Sequence, residues 1–189
     1  DICSMLVNKG ANLNLKSGYG ETTLMLASWN GHKGIVQILL DKEANVNLTD
    51  NRQRSALHHA AMAHFASQRF YGKIYVDICD MLIYKGANIN LRSDDGHTAL
   101  TLALRNKQND LIVLLVDEGV DIDMRDNEQS TLLHWAARNG HFDICSMLIH
   151  KCANINAQNK NQCTALMLAS LNGNTDIAQL LLERQANVN

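Results

Sequence analysis

A six-residue block occurs five times down this chain, and it constrains the fold more than any single residue does. Thr22-Thr23-Leu24-Met25-Leu26-Ala27 comes back as Ser55-Ala56-Leu57-His58-His59-Ala60 and as Thr98-Ala99-Leu100-Thr101-Leu102-Ala103. It returns again as Thr131-Leu132-Leu133-His134-Trp135-Ala136 and as Thr164-Ala165-Leu166-Met167-Leu168-Ala169. Its reference leucines, Leu24, Leu57, Leu100, Leu133 and Leu166, are spaced by 33, 43, 33 and 33 residues, so one repeat carries ten extra residues. A fixed period in this range predicts a stacked-repeat solenoid. Such folds expose a continuous groove and usually bind other proteins.

One repeat, residues 17–49, shows how the unit is built. Ser17-Gly18-Tyr19-Gly20-Glu21 is rich in turn formers and predicts a hairpin tip. Thr22 stands where an N-cap belongs. Leu24, Leu26 and Ala27 are expected to give a short first helix its buried side. Asn30-Gly31-His32 turns the chain. Ile35, Val36, Ile38, Leu39 and Leu40 then recur at helical spacing on a second helix. Ala44-Asn45-Val46-Asn47 leads out to the next tip. Neither helix buries its apolar side alone, so stacking must supply the stability.

This unit resembles the ankyrin repeat. The resemblance rests on the Thr-x-Leu-x-x-Ala helix start, the Gly-His turn (Gly31-His32, Gly140-His141), the Leu-Leu of the second helix and the Gly-Ala-Asn-x-Asn exit from Gly86 to Asn90. It covers essentially the whole chain: a partial repeat at 1–15, then repeats at about 16–48, 49–91 with the insertion, 92–124, 125–157 and 158–189. It implies an all-α solenoid of stacked helix-turn-helix layers with projecting hairpins. Two departures stand out. Thr23, Ala56, Ala99, Leu132 and Ala165 occupy the place where the family often has proline. Glu43, Cys152 and Gln185 replace the glycine that ends the second helix, at about 1 kcal/mol each if they keep the left-handed geometry.

A longer period lies above the first. Asp1-Ile2-Cys3-Ser4-Met5-Leu6 recurs as Asp143-Ile144-Cys145-Ser146-Met147-Leu148, and nearly as Asp77-Ile78-Cys79-Asp80-Met81-Leu82, in alternate repeats. Duplication of a two-repeat unit accounts for this. The chain opens inside a repeat, and neither end carries an obvious polar capping repeat, so it reads as a segment of a longer array.

Charge and cysteine content narrow the function. Lys plus Arg number 17 and Asp plus Glu 19, a net charge of -2 that does not suggest nucleic acid or membrane surfaces as partners. No apolar run approaches the roughly 20 residues of a membrane span. Five cysteines without disulfide-type clustering fit a reducing compartment, cytoplasmic or nuclear. Cys3, Cys79 and Cys145 fall two repeats apart, roughly 20 Å at a layer spacing of about 10 Å, too far for one metal or a disulfide. They read as small core residues. Cys163 falls at a tip and is the reactive-thiol candidate.

His58, His59 and His64 cluster in sequence, but no zinc-type spacing surrounds them. The resemblance implies that histidine at the His58 and His134 place bonds locally between backbone segments. There is no phosphate-binding loop, Gly-x-Ser-x-Gly or His-Glu-x-x-His. No catalytic residue, metal or cofactor is therefore expected. Asn47, Asn90 and Asn156, with Leu39, Leu82 and Leu148 eight residues earlier, leave open a role as substrates of an asparaginyl hydroxylase that acts on some ankyrin exits.

The resemblance also implies where a protein partner sits: on the tips and on the exposed side of the first helices. The tips offer Tyr19, Glu21, Arg52, Arg54, Asp94, Asp95, His97, Glu128 and Lys160. The first helices offer Trp29, Met62, Arg105, Arg138 and Leu171, and Arg92 and Arg125 precede their tips. Trp29 and Leu171 are large apolar groups at positions expected to be exposed, whereas Trp135 is expected in the core. Arg92, Arg105, Arg125 and Arg138 are expected to align as a basic strip for an acidic partner segment.

The ten-residue insertion falls within 64–76 and carries Phe65, Phe70, Tyr71 and Tyr75, too aromatic for a permissive loop. Two outcomes remain open: a lengthened first helix folded back on its own repeat, or a protruding contact that adds Phe70 and Tyr71 to the partner surface. The leading function is a non-catalytic scaffold for a protein partner. The alternative is a regulatory or targeting segment of a larger enzyme, channel or secreted effector.

Overall fold

Paired capping bonds start the first helix of most layers. The computed structural model describes residues 11–63 and 72–187. Its helices are α1 (Thr23–Trp29), α2 (Lys33–Asp41), α3 (Ala56–Met62), α4 (Gly72–Tyr84), α5 (Ala99–Arg105), α6 (Asn109–Asp117), α7 (Leu132–Asn139), α8 (Phe142–His150), α9 (Ala165–Leu171) and α10 (Thr175–Glu183). There is no strand among the described residues. Thr22 Oγ1 accepts from the Met25 amide at 3.3 Å, and Met25 Sδ accepts from the Thr22 amide at 3.4 Å. Thr98 and Thr101 make the same reciprocal pair. Ser55 with His58, and Thr131 with His134, repeat the box with an imidazole where glutamate or glutamine is usual.

Helices form antiparallel pairs, and the pairs stack in two units. In the first unit, Asp1–Val120, α1 packs on α3 and α3 on α5, while α2 packs on α4 and α4 on α6. In the second, Asp121–Asn189, α7 packs on α9 and α8 on α10. Leu24, Leu39, Leu57, Ile78, Leu82, Leu111 and Leu115 are fully buried in the first unit, and Leu133, Leu148 and Ile177 in the second. Alanines at 60 and 103, and at 136 and 169, are likewise sealed, which lets neighbouring first helices approach closely.

Two features of the first unit differ from the sequence expectation. Leu26 is not core: it is 43% exposed, while Met25, one residue earlier, is buried. Met25 Sδ is turned inward to accept the Thr22 amide, and Leu26 is left on the open side. The insertion lengthens the second helix of its repeat, not the first. Helix α3 keeps seven residues, whereas α4 has 13 against the nine of α2. Residues 64–71, with Phe70 and Tyr71, lie outside the described residues. Tyr75 is 3% exposed, and its hydroxyl donates to the Trp29 carbonyl oxygen at 3.3 Å.

Left-handed residues punctuate each layer. Glu43, Cys152 and Gln185 have φ of 61°, 64° and 65°, at the place where Gly86 and Gly119 stand in the other repeats. Gln53, Gln129 and Gln162 take the left-handed tip position held elsewhere by Gly20 and Gly96. These are strained choices for residues with a Cβ.

The exit asparagines form a ladder along the stack. Asn47 Oδ1 accepts from the Asn88 amide at 2.7 Å, and Asn47 Nδ2 donates to the Gly86 carbonyl at 3.0 Å. Asn14 accepts from the Asn45 amide, and in the second unit Asn156 accepts from the Asn187 amide. These side chains join one layer to the next, a structural use of the residues that raised the hydroxylation question.

Candidate protein-interaction surface

Each tip is organised by one short polar side chain that gathers its own loop amides. Asp50 Oδ1 accepts from the amides of Arg52 and Arg54 at 2.8 and 2.9 Å. Asp126 and Asn159 do the same in their tips, and Ser17 Oγ accepts from the Tyr19 and Glu21 amides. Neighbouring tips then join through the backbone. The Asn51 amide donates to the Tyr19 carbonyl, Asp94 to Arg52, and Lys160 to Glu128. The tip side chains thus stand on a hydrogen-bonded edge.

The second carboxylate oxygen of Asp50 has a different use. It accepts from Arg54 Nε at 2.7 Å and from His59 Nε2 at 3.1 Å. Burial alone would raise the Asp50 pKa, but bonds from the Arg54 side chain and amide, the Arg52 amide and His59 bring it down to about 2. Burial pushes His59 below its ordinary value despite Asp50, so the neutral imidazole donates through Nε2. Trp29 meets the His59 ring edge-on, with centroids 6.0 Å apart and planes at 74°. In the second unit Trp135 Nε1 donates to Asp126 Oδ2 at 2.9 Å, in the same register. Trp135 is therefore half-buried with a polar anchor rather than core. The pairing was detectable in sequence: Asp50 and Asp126 each precede their ring by nine residues, in alternate repeats.

His58 and His134 are structural. Each accepts an amide at Nδ1, from Ser55 and Thr131, and each directs Nε2 at the next tip, to the His97 and Cys163 carbonyls at 3.1 and 3.0 Å. Burial lowers the His58 pKa to about 4 and displaces His134 in the same direction. Both rings are neutral ties between layers. Cys79 and Cys145 are buried free thiols. Burial raises both pKa values, that of Cys145 to about 12, so neither is a ready nucleophile. Cys163 is only half-exposed, and Cys152 is the exposed thiol among the described residues. Among the described residues, no three His, Cys, Asp or Glu gather as metal ligands.

The remaining candidates divide by exposure. Tyr19, Arg52, Arg92, Asp94, Asp95, Arg105, Glu128, Arg138, Lys160 and Leu171 are exposed, Tyr19 and Leu171 being the apolar or aromatic ones among them. Trp29 is 42% exposed. Glu21, Met62 and His97 are half-buried. Arg54 is bound into the Asp50 pair, at 2.6 Å through Nη2. Arg125 donates from Nη1 to the Gln129 and Gln158 carbonyls at 3.2 and 2.7 Å, which ties down its tip rather than presenting a free cation. Arg105 donates to His97 Nε2 at 3.0 Å. Lys160 and Glu128 pair loosely at 3.8 Å. Sequence reasoning missed Leu26 as part of this face, and the buried His59 and Asp50 as the groups that support it.

No helix among the described residues is long and apolar enough to cross a membrane. Ankyrin repeats are in general protein–protein interaction modules on a generally non-catalytic fold. A human ankyrin repeat and KH domain-containing protein is 32% identical over 100 residues, covering 52% of this chain. A mouse ankyrin repeat and SAM domain-containing protein is 32% identical over 106 residues, covering 54%. A rice protein named as a probable E3 ubiquitin-protein ligase is 44% identical over 62 residues, covering 32%. The matched segment spans only 4%, 11% and 12% of these relatives' own lengths. The family model for ankyrin repeats (3 copies) matches residues 1–67, 63–159 and 114–189, and with helix pairs of this geometry on every matched stretch the chain belongs to the ankyrin-repeat family.

Proposed function

We propose that the chain is a non-catalytic scaffold that binds a protein partner through the exposed side of its first helices and its hairpin tips. The observation that carries this reading is Trp29. A large aromatic side chain, 42% exposed, sits edge-on to His59, and its own carbonyl is held by Tyr75. An aromatic group kept half out of the core on an ordered platform has the character of an interface anchor. Arg105, Arg138 and Arg92 supply exposed guanidinium groups suited to an acidic partner segment. The buried, unpaired Cys79 and Cys145 favour a reducing compartment, cytoplasmic or nuclear.

The test is differential capture. The chain and its Trp29→Ala and Arg105→Glu variants, each verified as folded by circular dichroism, are used as bait with isotope-coded quantification. A protein retained by the parent and lost from both variants supports the reading. Capture that is indifferent to both substitutions overturns it.

A second reading follows from the relatives' names. Those with KH and SAM domains are longer proteins in which ankyrin repeats accompany other modules. On that reading, the same surface serves as the regulatory or targeting part of a larger protein, and a catalytic or membrane domain in the full reading frame would favour it.

A further inference from the structure

The exposed face of the first unit has a direction. Three first-helix positions fall in register on successive layers: Trp29 on α1, Met62 on α3 and Arg105 on α5. Leu26, 43% exposed, adds a second apolar group beside Trp29. Met62 is half-buried, with Arg54 Nη1 at 4.0 Å from its sulfur. The surface therefore passes from aromatic and aliphatic at the first layer to cationic at the third.

A second column, at the base of the tips, sets the charge around this face. Its members are Glu21, Arg54 and His97. The Glu21 carboxylate accepts from Ser17 Oγ at 3.5 Å in its own tip and acts on His59 through space. Arg54 is neutralised by Asp50 at 2.6 Å. The His97 ring accepts from Arg105, which orients the guanidinium without cancelling its charge. Among the described residues no carboxylate pairs with Arg105. Asp94 and Asp95 lie further out on that layer's tip, so an approaching anion is repelled there and must come in over the helix.

We infer that this face takes an extended acidic segment of a partner protein, laid across the layers with an apolar side chain on Leu26 and Trp29 and a carboxylate on Arg105. The inference rests on the scaffold reading above and adds the partner's chemistry and spacing. Two layer steps of about 10 Å place the ends about 20 Å apart, which an extended chain spans in about six residues. A helix would need about 13 residues for that distance, and at 10–12 Å diameter it would fill the roughly 10 Å width of seven-residue helices to both edges.

The probes are fluorescein-labelled synthetic peptides with one Phe and one Glu-Glu pair, separated by two, six or thirteen Ser and Gly residues, in both orders. Matched peptides carry Gln-Gln or Lys-Lys. Binding to the whole chain is read by fluorescence anisotropy. The six-residue spacing, in one of the two orders, should bind at least about fivefold tighter than its Gln-Gln twin and than the other spacings. Arg105→Glu should reverse the preference toward Lys-Lys, and Arg105→Gln should abolish it, which guards against a misfolded charge-reversal variant. No charge preference, an optimum at two or thirteen, or an unchanged preference in Arg105→Glu overturns the inference. If that happens while protein capture still depends on Trp29, the scaffold reading stands without it. If capture is also indifferent to Trp29 and Arg105, both fall.

Discussion

The Tyr75 hydroxyl donates to the Trp29 carbonyl at 3.3 Å, across 46 residues of chain. The same hydroxyl fills the space over Gly31, where a Cβ would stand 2.6 Å from it. The turn of one layer is thereby fitted to the extra helical turn of the next, directly behind the proposed anchor.

That fit gives Gly31 two constraints and Gly173 one. Both are left-handed, with φ of 69° and 71°, but a Cβ on Gly173 meets nothing within 4 Å. Gly173→Ala should cost about 1 kcal/mol from backbone strain alone. Gly31→Ala should cost more, and Tyr75→Phe should recover part of the excess. Urea unfolding of the three variants and the double variant measures this; equal losses at Gly31 and Gly173 would remove Tyr75 from the account.

Replacing Glu43, Cys152 or Gln185 by Gly should stabilise the chain by up to about 1 kcal/mol each, because all three hold the left-handed conformation that Cβ opposes. Gly86→Ala, at the equivalent place with φ of 84°, should lose a similar amount. Thermal melting decides the sign, and a loss at Glu43→Gly would show that its side chain has a compensating contact.

Much of this was legible from the repeat. Thr22, Thr98 and Thr164 cap their helices as an N-cap threonine should, and the odd residues at the glycine positions stood out by alignment of one repeat with the next. Leu26 misled because helical spacing does not say which of two adjacent apolar residues the cap turns inward. Tyr75 misled because its contact lies on another layer. Arg54 looked like a free tip charge, since nothing local announces that Asp50, four residues away, turns both carboxylate oxygens into its own loop. The partner face is set by exposure and charge across layers, which no single repeat displays.

Acid should weaken the fold in two windows. His58, His59 and His134 are held neutral by burial, that of His58 with a pKa near 4. The unfolded chain binds protons on these rings below about 6.5, so stability falls as pH drops from there toward 4. Asp50, with its folded pKa lowered to about 2, adds stability that is complete above the unfolded value of about 4 and is lost as pH falls toward 2. Melting temperatures at pH 7, 5.5, 4.5 and 3 should decline throughout. His58→Gln should remove its share of the upper window, make that slope shallower and leave the lower one; a profile that is flat between pH 7 and 4.5 in the parent would contradict the neutral, buried assignment.

Trp135 and Asp126 offer the most specific check on how the tips are held. Asp126 is 9% exposed, and its Oδ1 already accepts from two loop amides. Its Oδ2 has Trp135 Nε1 as partner at 2.9 Å. Trp135→Phe keeps an aromatic ring but removes the donor, leaving a largely buried carboxylate oxygen unmatched at a cost of about 1–3 kcal/mol. Trp135→His should lose less, although it deletes more apolar surface, because His59 already makes this bond to Asp50 in the same register. Asp126→Asn should not be neutral either. If the amide oxygen keeps the two loop amides, its nitrogen is turned toward the indole, where two donors meet. The ranking by urea denaturation is therefore wild type above Trp135→His, with Trp135→Phe lowest of the three. A Phe variant as stable as wild type would mean that the Trp135 bond is incidental and that the loop amides alone hold the tip.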